Sequence, residues 1–252
     1  MKLLLDTTIQ IDRITGSKER KEAVKKVLSD NDLYCSTYVL GEFYSNIVND
    51  LVTLFSLFLI DRNIGETGKR ITERIFGRSQ NRMQKLYANI IDMCELNEDE
   101  IEDSFYLYID LIQNEFYMGI KDVMDITKCG RANRKVIYED DRPILPAVSC
   151  TKRKEICNVC HLWKDSELEV SQIIKARKVS NKILDILVSA KEDEKEYRGK
   201  NCLTLGDMII CLETLKSHMG LGVCSSNETD FQPICDSLGL ELRVPDYSFK
   251  NN

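Results

Sequence analysis

The sequence predicts an α/β protein in which a parallel sheet is wound with helices. Three observations point there. A short apolar run, Lys2–Leu5, opens the chain and stops abruptly at Asp6. Further short strand-like runs fall at residues 33–36, 222–225 and 240–244. Long stretches with helical apolar spacing separate them, as parallel strands require, because the chain must cross back to the same end of the sheet.

Composition sets the bounds. A chain of 252 residues is enough for one large domain or two small ones. A hydrophobic fraction of 43% is adequate for a core. The net charge of −6 gives no global basic field, which counts against a simple nucleic-acid-binding module and leaves a local basic patch open. Of the ten cysteines, Cys35, Cys202, Cys211 and Cys224 sit in apolar surroundings, where a free thiol acts as a small hydrophobe. The opening run is too short for a signal peptide, so the expected setting is the reducing cytoplasm. The longest apolar stretch, residues 51–60, is too short to span a bilayer, and no membrane partner is expected.

Taken in order, the first run reads as a buried strand, with Thr8 a candidate cap for the helix after it. Asp6 taken alone reads equally well as a turn or cap residue. Residues 17–29 form an amphipathic helix through Ala23, Val24, Val27 and Leu28. After the strand at 33–36, Thr37 caps a long helix over 38–60, with Glu42 in its second turn. Residues 61–88 are basic; residues 92–115 hold nine acids and no Lys or Arg. Both have helical spacing and read as helices of opposite sign packed together, with a basic face for RNA as the alternative. Residues 128–156 read as irregular. Helix returns over 168–196, with Ile173, Val179, Ile183 and Leu187 in its core stripe, and again over 203–216, with Asp207 in its first turn. A short helix over 231–238 and the strand at 240–244 close the pattern.

Four acids thus share one kind of position. Asp6 ends a strand, Glu42 and Asp207 open helices, and Asp230 follows the strand at 222–225. In a parallel sheet such positions converge at one edge. Carboxylates gathered there need cations, and oxygen-only ligands favour Mg²⁺ or Mn²⁺. Two such ions suit phosphodiester cleavage by an activated water. Each acid also has an ordinary reading as a cap, turn or surface charge.

At this point the motifs resemble a known family. The segment Leu4-Leu5-Asp6-Thr7-Thr8-Ile9-Gln10-Ile11-Asp12 resembles the opening of PIN domains, the metal-dependent nucleases of toxins and RNA-processing enzymes. Val39-Leu40-Gly41-Glu42 looks like the segment carrying that family's second acid. Leu205-Gly206-Asp207-Met208-Ile209-Ile210 resembles the one carrying its third. Ser225-Ser226-Asn227-Glu228-Thr229-Asp230-Phe231 is similar to its last signature, with Asn227 where other members have Asp. The resemblance implies a Rossmann-like, PIN-like sheet and single-strand-selective RNA cleavage that leaves a 5′-phosphate and a 3′-hydroxyl. It assigns cation binding and catalysis to Asp6, Glu42, Asp207 and Asp230, with Thr7, Ser225 and Asn227 near the substrate. Asp12 reads as a helix-surface residue. The rival readings are an inactive PIN-like scaffold for RNA or a protein partner, and a toxin held by an antitoxin. A homo-oligomer stays open.

The resemblance covers residues 1–60 and 166–245; the nuclease-like domain is expected over 1–60 and 166–252, with residues 61–165 a mainly helical insertion. In it, Cys157-Asn158-Val159-Cys160 forms a C-x-x-C knuckle. Cys129 and Cys150 complete a tetrahedral set for structural Zn²⁺, with His161 as alternative ligand. A redox pair or unrelated thiols are the other readings. Arg131, Arg134 and Lys135, with Lys152, Arg153 and Lys154, are candidate phosphate contacts. Trp163 and Tyr138 are candidate base-stacking residues, with core packing the preferred reading for Trp163.

Overall fold

Residues 1–148, 150 and 157–248 are described by the structure, a computed structural model. Leu3, Leu4 and Leu5 are wholly buried, and each contributes about 2 kcal/mol by leaving water. Covered on both faces, they form a central strand rather than an edge. Among the described residues the strands are β1 (Lys2–Leu5), β2 (Asp32–Ser36), β3 (Ile120–Met124), β4 (Ile137–Glu139), β5 (Arg142–Ile144), β6 (Gly222–Cys224) and β7 (Leu242–Arg243). Five make one parallel sheet, ordered β3-β2-β1-β6-β7. The α/β, Rossmann-like architecture expected from the sequence is therefore present. The strand order reverses between β1 and β6, the switch point where such sheets open a crevice beyond the strand ends. Leu5 pairs with Cys224 there, and Asp6 N donates to Cys224 O at 2.9 Å.

The chain divides into two units. One comprises Met1–Glu42, Gly119–Asn133 and Val148–Asn252; the other comprises Phe43–Met118 and Arg134–Ala147. These boundaries differ from the expected insertion at 61–165. The helical unit begins earlier, and the cysteine segment belongs with the sheet. The cause is β3, which pairs with β2 through Cys35↔Val123 and Ser36↔Met124. Its sequence, Ile-Lys-Asp-Val-Met, buries only Met124. An edge strand of that kind lacks an apolar signature.

Several expected helices are broken. The stretch 168–196 is two helices, Glu167–Ala176 and Asn181–Glu192. Arg177 at φ 51° ends the first, and Ser180 Oγ caps the second through Ile183 N. Lys200–Thr204 and Gly206–Lys216 are separated at Leu205. The helix after β2 starts at Thr37, with Ser36 Oγ accepting from Val39 N. It runs through a π-helical turn, Tyr44–Val48, into Asn49–Asp61. Over Thr37–Asp61 it is long and apolar enough to cross a membrane by length and composition, and half of its most apolar window is buried. The segment read as irregular holds the antiparallel β4–β5 hairpin, turned by Asp140 and Asp141, both at positive φ.

In the helical unit, Asn49–Asp61, Arg78–Met93 and Ile101–Glu115 pack through Phe55, Phe58 and Phe105, with the Phe55 and Phe105 rings edge-on at 5.3 Å. Its basic residues are partly spent internally. Arg82 pairs with buried Asp50 at 2.8 Å, Arg70 pairs with Asp61, and Arg62 reaches Glu102 at 3.3 Å.

Candidate active site

Asp6 stands just beyond β1, where the helix Thr7–Thr15 begins. Its carboxylate, not Thr8, is the N-cap of that helix. Oδ1 accepts from Thr7 N at 2.6 Å; Oδ2 accepts from Thr8 N at 3.3 Å, Thr8 Oγ1 at 2.6 Å and Ser225 Oγ at 2.8 Å. Capping and site membership are therefore compatible, because Oδ1 takes one bond and keeps a lone pair. Burial pushes the Asp6 carboxyl above its ordinary range, and the bonds from Thr8, Ser225 and Thr7 pull it back in part.

Glu42 is half-buried on the helix after β2, and its Oε2 accepts from Thr7 Oγ1 at 2.6 Å. Asp207 opens the helix Gly206–Lys216. Burial, then the charges of Asp6, Asp230 and Glu42, raise it to about 7. Glu42 is raised by burial and by Asp6, with the Thr7 bond opposing. The acids that the sequence separates thus share one electrostatic neighbourhood. Asp230 lies at the exposed rim, where its Oδ2 accepts from Asn227 Nδ2 at 2.7 Å.

Gly206 permits this convergence. A Cβ on it would lie 3.2 Å from Glu42 Oε1 and 3.0 Å from Tyr38 Oη. A larger residue there would require Tyr38 Oη and Glu42 Oε1 to give way by a few tenths of an ångström. The motif Leu-Gly-Asp carried that signal in the sequence, but only packing gives the glycine its role.

Of the candidate substrate residues, Thr7 and Ser225 are buried. They orient carboxylates instead of facing solvent. Asn227 N donates to Ser225 Oγ at 3.0 Å, and Ser226 N to Thr8 Oγ1 at 3.2 Å, so the turn after β6 is tied to the Asp6 cap. Arg131 is also buried, with its guanidinium 5.0 Å from the Tyr38 ring centre and its Nε donating to Cys129 Sγ at 3.5 Å. It is therefore not the exposed phosphate contact expected. Arg134 belongs to the helical unit, where it donates to Pro146 O at 2.9 Å and Ser45 Oγ at 3.3 Å. Lys135 is exposed. Lys152, Arg153 and Lys154 lie outside the described residues.

Two further expectations change, those for Asp12 and His161, and the preferred packing reading of Trp163 holds. Asp12 is buried and held by Arg20 at 2.8 and 2.7 Å and by Tyr247 Oη at 2.6 Å; it is a structural anchor, not a surface charge. Trp163 stacks on Tyr197 at 4.6 Å and is 1% exposed, which makes it a packing residue. His161 is exposed and faces a hollow with Asp165 and His218, apart from Cys129, Cys150 and Cys157. It is not placed as an alternative ligand.

An all-oxygen donor set, mutual charge repulsion and the Gly206 cradle suit a hard divalent cation. Among the described residues no three His, Cys, Asp or Glu side chains already stand together as a metal-holding group. No protein-family model, curated protein or solved structure matches this chain.

Proposed function

We propose that this protein is a Mg²⁺- or Mn²⁺-dependent endoribonuclease that hydrolyses single-stranded RNA. The observation that carries the reading is the convergence of Asp6, Glu42 and Asp207 at the switch point of the sheet, with Asp207 raised to about 7 by burial and its acidic neighbours. Such a cluster is costly unless positive charge joins it. The substrate class and the 5′-phosphate product rest on the PIN-like motifs.

Asp6, Glu42 and Asp207 would hold the cation, with Asp230 at the rim. When bound, a divalent cation lowers the pKa of water toward neutrality and offsets charge on a phosphodiester. The chain's own contribution is orientation. Thr7 fixes Glu42, while Thr8 and Ser225 fix Asp6, so the orientation of these two carboxylates is set by hydrogen bonds. Asn227 holds Asp230 at the mouth and removes one negative charge where a phosphate would approach.

The test is cleavage of single-stranded RNA and DNA with Mg²⁺ or Mn²⁺, comparing wild type with Asp6→Asn and Asp207→Asn. Loss of cleavage in both variants is expected. Equal activity in all three sinks the assignment. RNA binding without cleavage by wild type would instead support the inactive-scaffold reading.

A further inference from the structure

Beside Tyr38, on the helix that carries Glu42, lies a small sulfur-lined cavity of about 20 Å³, with Cys129, Cys150, Cys157 and Cys202 on its wall beside Arg131 and Arg198. A water-sized guest needs roughly 10–15 Å³, so the space suits a single ion and is too small for an iron–sulfur cluster. The fourth sulfur is not the one the C-x-x-C knuckle suggests. Cys160 Sγ lies off this wall and accepts from Arg198 Nε at 3.0 Å. Cys202 sits 73 residues after Cys129 in the sequence, on the short helix just before Asp207.

We propose that Cys129, Cys150, Cys157 and Cys202 bind one structural Zn²⁺, with Cys202 in place of Cys160. Four thiolates are the soft, tetrahedral set that zinc prefers. On binding, each thiol gives its proton to solvent and its sulfur lone pair to the ion, leaving a site of net charge −2. The two arginines beside the cavity answer that charge. Arg131 is buried, and its Nη2 has no hydrogen-bond partner among the described residues, which a thiolate sulfur would supply. All ten cysteines are free, so no disulfide competes for these sulfurs. The four sulfurs share one wall without already standing together as a metal-holding group among the described residues, so binding requires them to close to about 2.3 Å from the ion.

The position gives the ion its purpose. A Cβ on Gly41 would meet Cys129 Sγ at 2.9 Å, so the sulfur presses on the backbone next to Glu42. Tyr38, on the same helix, donates to Cys202 O at 2.9 Å. Zinc would staple the segment before Asp207 to the helix carrying Glu42. The metal assignment itself does not depend on the nuclease reading.

The test uses the full reduced chain, loaded with Zn²⁺ and separately with Co²⁺. One equivalent of metal is expected, with cobalt–thiolate charge-transfer absorption. Alkylation read by mass spectrometry should show Cys129, Cys150, Cys157 and Cys202 becoming reactive on chelation, while Cys160 labelling does not change. Cys202→Ser should weaken Co²⁺ binding at least about tenfold, and Cys160→Ser should keep the wild-type spectrum. If Cys202→Ser fails to fold, the wild-type alkylation pattern decides. No metal taken up after loading, chelation that exposes Cys160 instead of Cys202, or a disulfide among the four would overturn the proposal.

Discussion

Ser225 Oγ donates to Asp6 Oδ2 at 2.8 Å across 219 residues of sequence. The bond closes the switch point of the sheet, because β6 lies beside β1 and delivers Ser225 one residue beyond its end. Partners that orient a ligand carboxylate are worth about 10–100-fold in metal affinity or activity. Ser225→Ala is therefore expected to raise the Mn²⁺ concentration needed for half-maximal cleavage by about tenfold or more, with the fold intact by circular dichroism. A wild-type cation midpoint would show that Ser225 only shapes the turn.

Asp207 carries a cost in the absence of cation. Its carboxyl is raised to about 7, so the folded state holds the proton more tightly than the unfolded chain does. Stability from this group is full below the unfolded value and is lost as pH rises through about 7. Asp207→Asn should thus stabilise the cation-free protein at pH above that range by on the order of 1–3 kcal/mol, and leave it unchanged below the unfolded carboxyl value, while abolishing cleavage. Urea denaturation in chelator at the two pH extremes checks this; equal stability of variant and wild type in alkali contradicts it.

Glu213 offers a second pH test at a carboxyl outside the proposed cation-holding set, though it feels the Glu42 charge. It is wholly buried, takes a bond from Thr127 Oγ1 at 2.8 Å, and is raised to about 7 chiefly by burial. The sign is the same: folded Glu213 keeps its proton, and stability falls as pH rises from its ordinary range through about 7. Glu213→Gln removes the charging penalty and should flatten that decline by on the order of 2 kcal/mol. Melting curves across the same range measure it, and an unchanged slope refutes the assignment.

Asp12 is predicted to act on stability alone. Its carboxylate is nearly buried, and Arg20 is about one-third exposed, so solvent screening reduces the pair. Asp12→Ala should cost about 1–3 kcal/mol by leaving Arg20 and Tyr247 without their shared acceptor. The Mn²⁺ dependence of cleavage should stay unchanged. A shift in that dependence would move Asp12 into the site.

Legibility in the sequence followed local signal strength. Leu3–Leu5 and the helix Lys18–Leu28 were readable because burial pattern and spacing are written in consecutive residues. β3 was not, since an edge strand with Lys121 and Asp122 exposed has no apolar run to detect. The break at Arg177 was hidden for another reason: a left-handed arginine ends that helix where a glycine or proline would have announced it.

The sequence by itself determined the α/β class, the positions of Asp6, Glu42, Asp207 and Asp230 at element ends, and an unusual supply of cysteines in the middle of the chain. Those are properties of short windows. Tertiary structure decided the rest. It placed β1 between β2 and β6, gave Asp6 its partner in Ser225, and buried Arg131 against the Tyr38 ring. It set Gly206 against Glu42 and brought Cys202 to the wall shared with Cys129, Cys150 and Cys157. Each of these pairings joins residues far apart in the chain. Their energy comes from burial and charge proximity that exist only once the sheet has assembled.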